Sequence, residues 1–169
     1  MFEIGNFVLY GSQGVCRVSD IRSEDFSGER KDYYILTPFD DAKMVIYVPT
    51  DAATLTGQMR PLLSPDELNA LILEGKDDAA LDWINDPRKR NEYFKTILSS
   101  GDRRLVVRLL RTLHEQRIKQ EAIGKKLYAA DEQVFSRAQK LLHGEIAISM
   151  NIHPAEVQDY IRSLLAVES

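Results

Sequence analysis

The sequence predicts an α+β protein in which a small antiparallel β domain precedes an all-α bundle of about five helices. Four short runs rich in Val, Ile, Tyr and Phe lie within the first 50 residues and are separated by turn-forming residues. Beyond Pro49 the apolar residues recur with helical spacing instead. We therefore expect residues 1–60 to form an SH3- or Tudor-like domain and residues 61–169 to form a helical domain.

The predicted strands are the runs FVLY, GVCRVSDI, DYYIL and MVIYV. The segments between them, GSQG, SG and PFDDA, contain the residues that favour turns, and Gly11 and Gly14 allow a tight bend after the first strand. Strands this short and this closely spaced are typical of a small, strongly bent sheet.

The first long helix is predicted from a capping pattern. Ser64 can cap the free amides, Pro65 suits the first helical position and Glu67 completes the capping box, so a helix should run to about Glu74. A second helix is predicted from about Pro87, after an acidic connector.

Three further helices complete the predicted bundle. Gly101 ends the second helix and Asp102 caps the third, which has an apolar stripe and arginines on its other sides. A fourth helix covers about residues 131–150 and ends at Asn151, and Pro154 opens the last one.

Charge is distributed unevenly along the chain. The formal net charge is −4, but residues 88–126 carry a net +8 whereas residues 65–87 carry −6. An acidic protein does not coat nucleic acid by itself. The basic segment, which includes Lys125 and Lys126, indicates either an anionic partner or the solvated outer face of a bundle.

Several classes of function lack their sequence signals. No phosphate-binding glycine loop, GxSxG or HExxH motif is present, and the three histidines have no metal-ligand spacing, so we expect no enzyme, no cofactor and no metal. The single cysteine, Cys16, suits a buried packing role better than reactive thiol chemistry. No apolar run approaches the length of a membrane span, and we expect a cytoplasmic protein.

The one tryptophan, Trp83, precedes a tight group of cations formed by Arg88, Lys89 and Arg90. Cations neutralise DNA phosphates, and an apolar ring can wedge against bases in the minor groove. Alternatively, the ring packs over helix ends, as lone tryptophans commonly do. The residues alone leave both interpretations open.

Several segments, taken in order, resemble the CarD/CdnL/TRCF family of bacterial transcription regulators over nearly the whole chain. They are FEIGNFVLYGSQGVCRV, YYIL, MVIYVP, WINDPRKRNEYFKTILSSGD and AQKLLHGEIAISM. The resemblance implies an N-terminal domain that binds the RNA polymerase β subunit and a helical domain that meets promoter DNA at the upstream edge of the transcription bubble.

The resemblance also implies roles for individual residues. Trp83 corresponds to a minor-groove wedge, and Lys89 and Arg90 correspond to a basic pair on the DNA backbone. Including the neighbouring cations, the expected DNA-binding residues are Trp83, Arg88, Lys89, Arg90, Lys125 and Lys126. The expected polymerase-binding residues are Glu24, Phe26 and Tyr47.

These expectations predict a promoter-complex factor with low sequence specificity and no small-molecule substrate. The rival hypothesis is a protein-interaction adaptor, with a Tudor-like peptide-binding module and a helical bundle that never touches nucleic acid. Trp83 distinguishes the two hypotheses, because exposure beside the cations favours DNA and burial in the bundle favours the adaptor.

Overall fold

The computed structural model describes residues 1–167, in which a five-stranded antiparallel sheet precedes the longer helices and one short helix lies between its last two strands in the chain. This architecture confirms the predicted α+β fold class. The strands are β1 (Phe7–Tyr10), β2 (Val15–Asp25), β3 (Arg30–Pro38), β4 (Ile46–Pro49) and β5 (Met59–Pro61). The helices are α1 (Ala53–Thr56), α2 (Pro65–Gly75), α3 (Pro87–Ser100), α4 (Arg103–Ala122), α5 (Ala129–Met150) and α6 (Val157–Val167).

The sheet has the strand order β4-β3-β2-β1-β5 and encloses its own small core. Alternate strand residues such as Val8, Val18 and Leu36 point into that core and are fully buried. Cys16 is among them with no exposed surface, and burial is the main cause that raises the pKa of its thiol to about 11. This environment agrees with the packing role expected for Cys16.

The sheet extends further along the chain than the sequence pattern indicates. Past Pro49, where helical spacing was expected, the three residues of β5 pair with β1, with Tyr10 opposite Met59 and Val8 opposite Pro61. A domain boundary at residue 60 therefore falls inside a strand. A three-residue edge strand is too short to show a period-two pattern, so periodicity does not predict it.

Local capping signals predicted the helix ends well. The Ser64 hydroxyl accepts a hydrogen bond from the Glu67 amide at 3.1 Å and the Glu67 carboxylate accepts one from the Ser64 amide at 3.1 Å, which completes the capping box. Gly101 and Asn151 end α3 and α5 in the left-handed conformation, with φ of 72° and 53°. The predicted last helix begins as a 3₁₀ turn at Pro154 and continues as α6.

A buried ion pair joins the sheet to the helices. Glu145 of α5, 1% exposed, accepts hydrogen bonds from Arg103 of α4 at 2.7 and 3.0 Å. The same carboxylate accepts one from the Leu63 amide at 3.0 Å, and Arg103 also donates to the Pro61 carbonyl at 2.9 Å. The chain leaving β5 is thus fixed to two helices by charge-assisted hydrogen bonds.

The tight turn between β1 and β2 makes a second junction with the helices. The Arg137 guanidinium of α5 donates to the Ser12 carbonyl, with its Nε at 2.6 Å. At Gly14, where φ is 80°, an added Cβ would lie 3.1 Å from the Leu141 side chain, so the turn packs closely against α5 in a backbone conformation that favours glycine.

Candidate protein and nucleic-acid interfaces

Three aromatic side chains, Phe26, Tyr33 and Tyr47, cluster on the outer side of the sheet, and we call them the aromatic face. Their ring centroids lie 5.1 to 6.1 Å apart with edge-to-face geometry. Phe26 is 58% exposed and Tyr47 is 38% exposed. Exposed rings in contact with each other form an apolar patch of the kind that marks a protein contact surface.

Two charged residues of β2 border the aromatic face. Arg22 donates a hydrogen bond to the Tyr47 hydroxyl at 3.2 Å, and its Nε lies 2.8 Å from a Glu24 carboxylate oxygen. The bond to Tyr47 is the main cause that raises the pKa of Arg22. The structure therefore brings together all three residues expected to contact polymerase, Glu24, Phe26 and Tyr47.

The expected set omits Arg22 and Tyr33, which belong to the same surface. Arg22 precedes Glu24 by two positions in β2, so both side chains lie on one side of the sheet, and Tyr33 lies opposite Arg22 in β3. Period-two alternation signals Arg22 in the sequence, whereas Tyr33 requires the strand register.

Arg90, the last of the three neighbouring cations expected to bind DNA, lies inside the helical domain. It is 2% exposed and its guanidinium donates to the Asp131 carboxylate at 2.7 and 3.0 Å. It also donates to the Ile84 and Asn85 carbonyls, and its central carbon lies 4.3 Å from the centre of the Trp83 ring.

This position corrects the expectation that Arg88, Lys89 and Arg90 form one surface cluster. Arg88 and Lys89 are exposed at the start of α3, but Arg90 lies on the same inward helix face as Phe94 and Ile97. A DNA-backbone contact by Arg90 does not fit a guanidinium that is buried and whose three nitrogens all donate to protein oxygens.

Trp83 is half-buried, so it matches neither of the two expected extremes. Its ring packs against the helical core, 6.2 Å from the Phe94 ring, and makes a cation–π contact with Arg90. The ring also lines a small cavity of about 120 Å³ together with Lys126, Tyr128 and Asp131. We call this cavity the Trp83 pocket.

The Trp83 pocket brings some of the expected DNA-binding residues together and leaves others apart. Trp83, Arg90 and Lys126 line it, while Arg88, Lys89 and Lys125 are exposed elsewhere on the surface. Tyr128, which was not expected at the site, is 65% exposed at its edge. In the sequence, only its position two residues after Lys126 suggests that Tyr128 belongs to the site.

Several arginines of the basic helix α4 bond to other parts of the protein. Arg104 of α4 forms a two-bond ion pair with Asp78 of the acidic connector, and Arg108 donates to the Ala79 carbonyl at 3.0 Å. Arg111 donates to the Asp78 carbonyl at 2.6 Å. The connector that precedes α3 is therefore one anionic partner of the basic helix, which explains part of the charge separation seen in the sequence.

Within residues 1–167, no group of three His, Cys, Asp or Glu side chains could hold a metal ion. Over the same residues, no helix is long and apolar enough to cross a membrane.

Comparison with known proteins places the sheet in a family. Residues 2–63 match the family model described as the CarD-like/TRCF RID domain. The N-terminal part of the chain is thus similar to a CarD-like domain. The whole chain is 23% identical over 163 residues to the Bacillus subtilis protein named "Putative transcription factor YdeB", an alignment that covers 95% of this chain and 99% of that protein. The RID domain implies an interaction with RNA polymerase, and both findings associate the chain with transcription rather than with an enzyme family.

Proposed function

We propose that this protein is a cytoplasmic CarD-like promoter-complex factor that binds the RNA polymerase β subunit through its aromatic face. Its helical domain contacts promoter DNA and stabilises the open complex. The observation that carries the proposal is the convergence of Glu24, Phe26 and Tyr47 on one exposed face of the RID domain. Glu24 lies in β2, Phe26 follows that strand directly and Tyr47 lies in β4, so the fold brings them together from separate parts of the sheet.

The aromatic face suits a protein partner because little charge must be desolvated when it is covered. Glu24 is already paired with Arg22, and the Tyr47 hydroxyl already accepts a hydrogen bond from the same guanidinium. Aromatic residues and arginine are enriched in interface cores, where isolated carboxylates and lysines are depleted.

The helical domain suits a weak contact with DNA. Among residues 1–167, Lys89, Lys125 and Lys126 form no ion pair within 4.0 Å, and Arg88 is 90% exposed with its one carboxylate neighbour 3.9 Å away. Free cations neutralise phosphates, and a half-exposed tryptophan can lie against bases in the minor groove. Such contacts contain little base information, so we expect low sequence specificity.

Attachment to polymerase compensates for the acidic charge of the chain. Docking the RID domain raises the local concentration of the helical domain at the promoter, so a few phosphate contacts suffice. The ion pair between Arg103 and Glu145 and the bonds of Arg137 to the β1–β2 turn hold the two domains together. A protein that binds the melted promoter better than the closed one shifts the promoter toward the open form.

The proposal is tested by placing a charge on the aromatic face of the full-length chain. Phe26→Asp should weaken binding to polymerase about 30-fold or more, since losing a central aromatic contact costs about 2 kcal/mol or more. Phe39→Asp is the matched control, because Phe39 is 44% exposed in the same domain but lies away from the aromatic face. Equal polymerase affinity for wild type and a folded Phe26→Asp variant would refute this interface.

The adaptor hypothesis retains one supporting observation, the partial burial of Trp83 against the helical core. It predicts that the full-length protein shows no salt-dependent binding to duplex DNA at low ionic strength. A titration that detects such binding excludes the adaptor, and a flat titration excludes the DNA contact proposed here.

A further inference from the structure

The Trp83 pocket contains polar groups that phosphate contacts leave unused. The side-chain amides of Asn85, Gln116 and Gln120 line it, and none of them hydrogen-bonds to another protein group within residues 1–167. Each amide offers both donors and an acceptor. A ligand with an edge of alternating donors and acceptors would satisfy them.

The floor of the pocket does not attract an ion. Arg90 and Asp131 neutralise each other there, and every polar group of the Arg90 guanidinium already has a protein partner. Lys126 is the one lining cation without an ion pair among the described residues. The group that enters should therefore be uncharged, and it should be attached to an anion that reaches Lys126.

The pocket also offers an unused aromatic surface. The Arg90 guanidinium lies 4.3 Å from the Trp83 ring centre and 5.6 Å from the Tyr128 ring centre, so one buried cation holds both rings in place. Trp83 is half-buried by this arrangement, but Tyr128 remains 65% exposed. A fixed and exposed ring beside unpaired amides is suited to stacking on a planar ligand.

We propose that the Trp83 pocket binds a single unstacked nucleobase of the melted promoter strand, with Tyr128 as the stacking residue. Gln116 and Gln120 contact the base edge, and Lys126 contacts the phosphate beside it. This inference rests on the proposed function and specifies which part of the DNA the helical domain binds. A base freed from its pair costs least to place in such a pocket, so the site should prefer forked DNA to duplex.

The test is an abasic scan of a forked DNA with the full-length protein. Each unpaired nucleotide is replaced in turn by an abasic site, and affinity is measured by fluorescence anisotropy at low salt. Removing one base should weaken binding about five- to 150-fold, the range that corresponds to the loss of one base–aromatic stack. Tyr128→Ala should weaken binding to the intact fork by a similar factor and should leave binding to duplex DNA of the same length unchanged.

Coupling between protein and DNA changes identifies the contact. Combining Tyr128→Ala with the sensitive abasic site should cost no more than either change alone, because both remove the same contact. Tyr128→Phe should keep the fork preference, since the ring remains. Tyr93→Ala serves as the matched control, because Tyr93 is a 37% exposed tyrosine that does not line the pocket.

The outcomes separate this inference from the proposed function. Salt-dependent duplex binding with no sensitive base position, or losses from Tyr128→Ala and the abasic site that add, would overturn the base pocket and leave the DNA contact standing. Absence of binding to fork and duplex alike would overturn both.

Discussion

Arg90 of α3 and Asp131 of α5 form an ion pair whose side chains are only 2% and 3% exposed. Two hydrogen bonds connect them, and the Nη1 of Arg90 donates to backbone carbonyls of the segment that contains Trp83. The pair therefore connects two helices and the tryptophan segment at one point. Breaking it removes a structural support rather than a surface charge.

Arg90→Ala should strongly destabilise the protein. It leaves the Asp131 carboxylate buried without a partner, which costs about 3–5 kcal/mol in the free energy of unfolding. Arg88→Ala is the control, because Arg88 is 90% exposed and its loss should cost no more than about 0.5 kcal/mol. Urea denaturation followed by circular dichroism measures both. A free energy within 1 kcal/mol of wild type for Arg90→Ala would contradict the buried pair.

Asp78→Asn should lower the melting temperature at neutral pH but not in acid. The hydrogen bond from Arg104 is the main cause that holds the pKa of the Asp78 carboxyl below its ordinary value. The folded protein therefore favours the ionised form, so this contribution is complete above the unfolded-state pKa. It is lost as the pH falls through the lowered folded-state pKa.

Thermal melts of wild type and Asp78→Asn between pH 7 and pH 3 measure this loss. The gap between the two melting temperatures should close as the pH falls. Asp77→Asn makes the same charge change at an exposed neighbour that has no ion pair among the described residues, and it should leave the melting temperature nearly unchanged at every pH. A gap as wide at the lowest pH as at pH 7 would show that Asp78 acts by packing and not by its charge.

Features that depend on neighbouring residues were predictable from the sequence. The capping box at Ser64 and the left-handed ends at Gly101 and Asn151 depend on a few adjacent residues, and all three are where the pattern placed them. Strand β5 was missed because its partner β1 lies about 50 residues earlier in the chain. A fragment meant to contain the whole sheet should therefore extend to residue 63, where the family match ends.

In the candidate sites, too, features set by distant residues could not be predicted from the sequence. The partner that buries Arg90 is 41 positions away, and no local pattern distinguishes Arg90 from the exposed Lys89 beside it. Likewise, Tyr128 becomes part of the Trp83 pocket only when α5 packs against α3. Pairing between distant elements, which decided these cases, is not encoded in any short segment.

Lys89→Ala combined with Lys126→Ala should reduce the salt dependence of duplex binding. Each phosphate neutralised contributes about 0.9 to the slope of log affinity against log salt, so losing two contacts should flatten the slope by about 1.8. The control pair, Lys43→Ala with Lys140→Ala, removes the same charge from exposed lysines that do not line the Trp83 pocket. An equal flattening in both double variants would mean that only overall charge matters.

Trp83→Ala should impair both folding and promoter opening, because the ring packs on the core and also lines the pocket. Truncating a fully buried tryptophan costs about 3–5 kcal/mol, so we expect a loss of about 2 kcal/mol in the free energy of unfolding for this half-buried one.

A loss of stability alone cannot separate the two roles of Trp83, so the control variant must also lose stability. Phe94→Leu changes a ring that is 1% exposed and lies behind Trp83, so it should lower stability without altering the pocket surface. Open-complex lifetimes should be compared well below both melting temperatures, where each variant is folded. There Trp83→Ala should shorten the lifetime about five- to 100-fold while Phe94→Leu leaves it near that of wild type. Equal lifetimes for the two variants would show that Trp83 serves only the core.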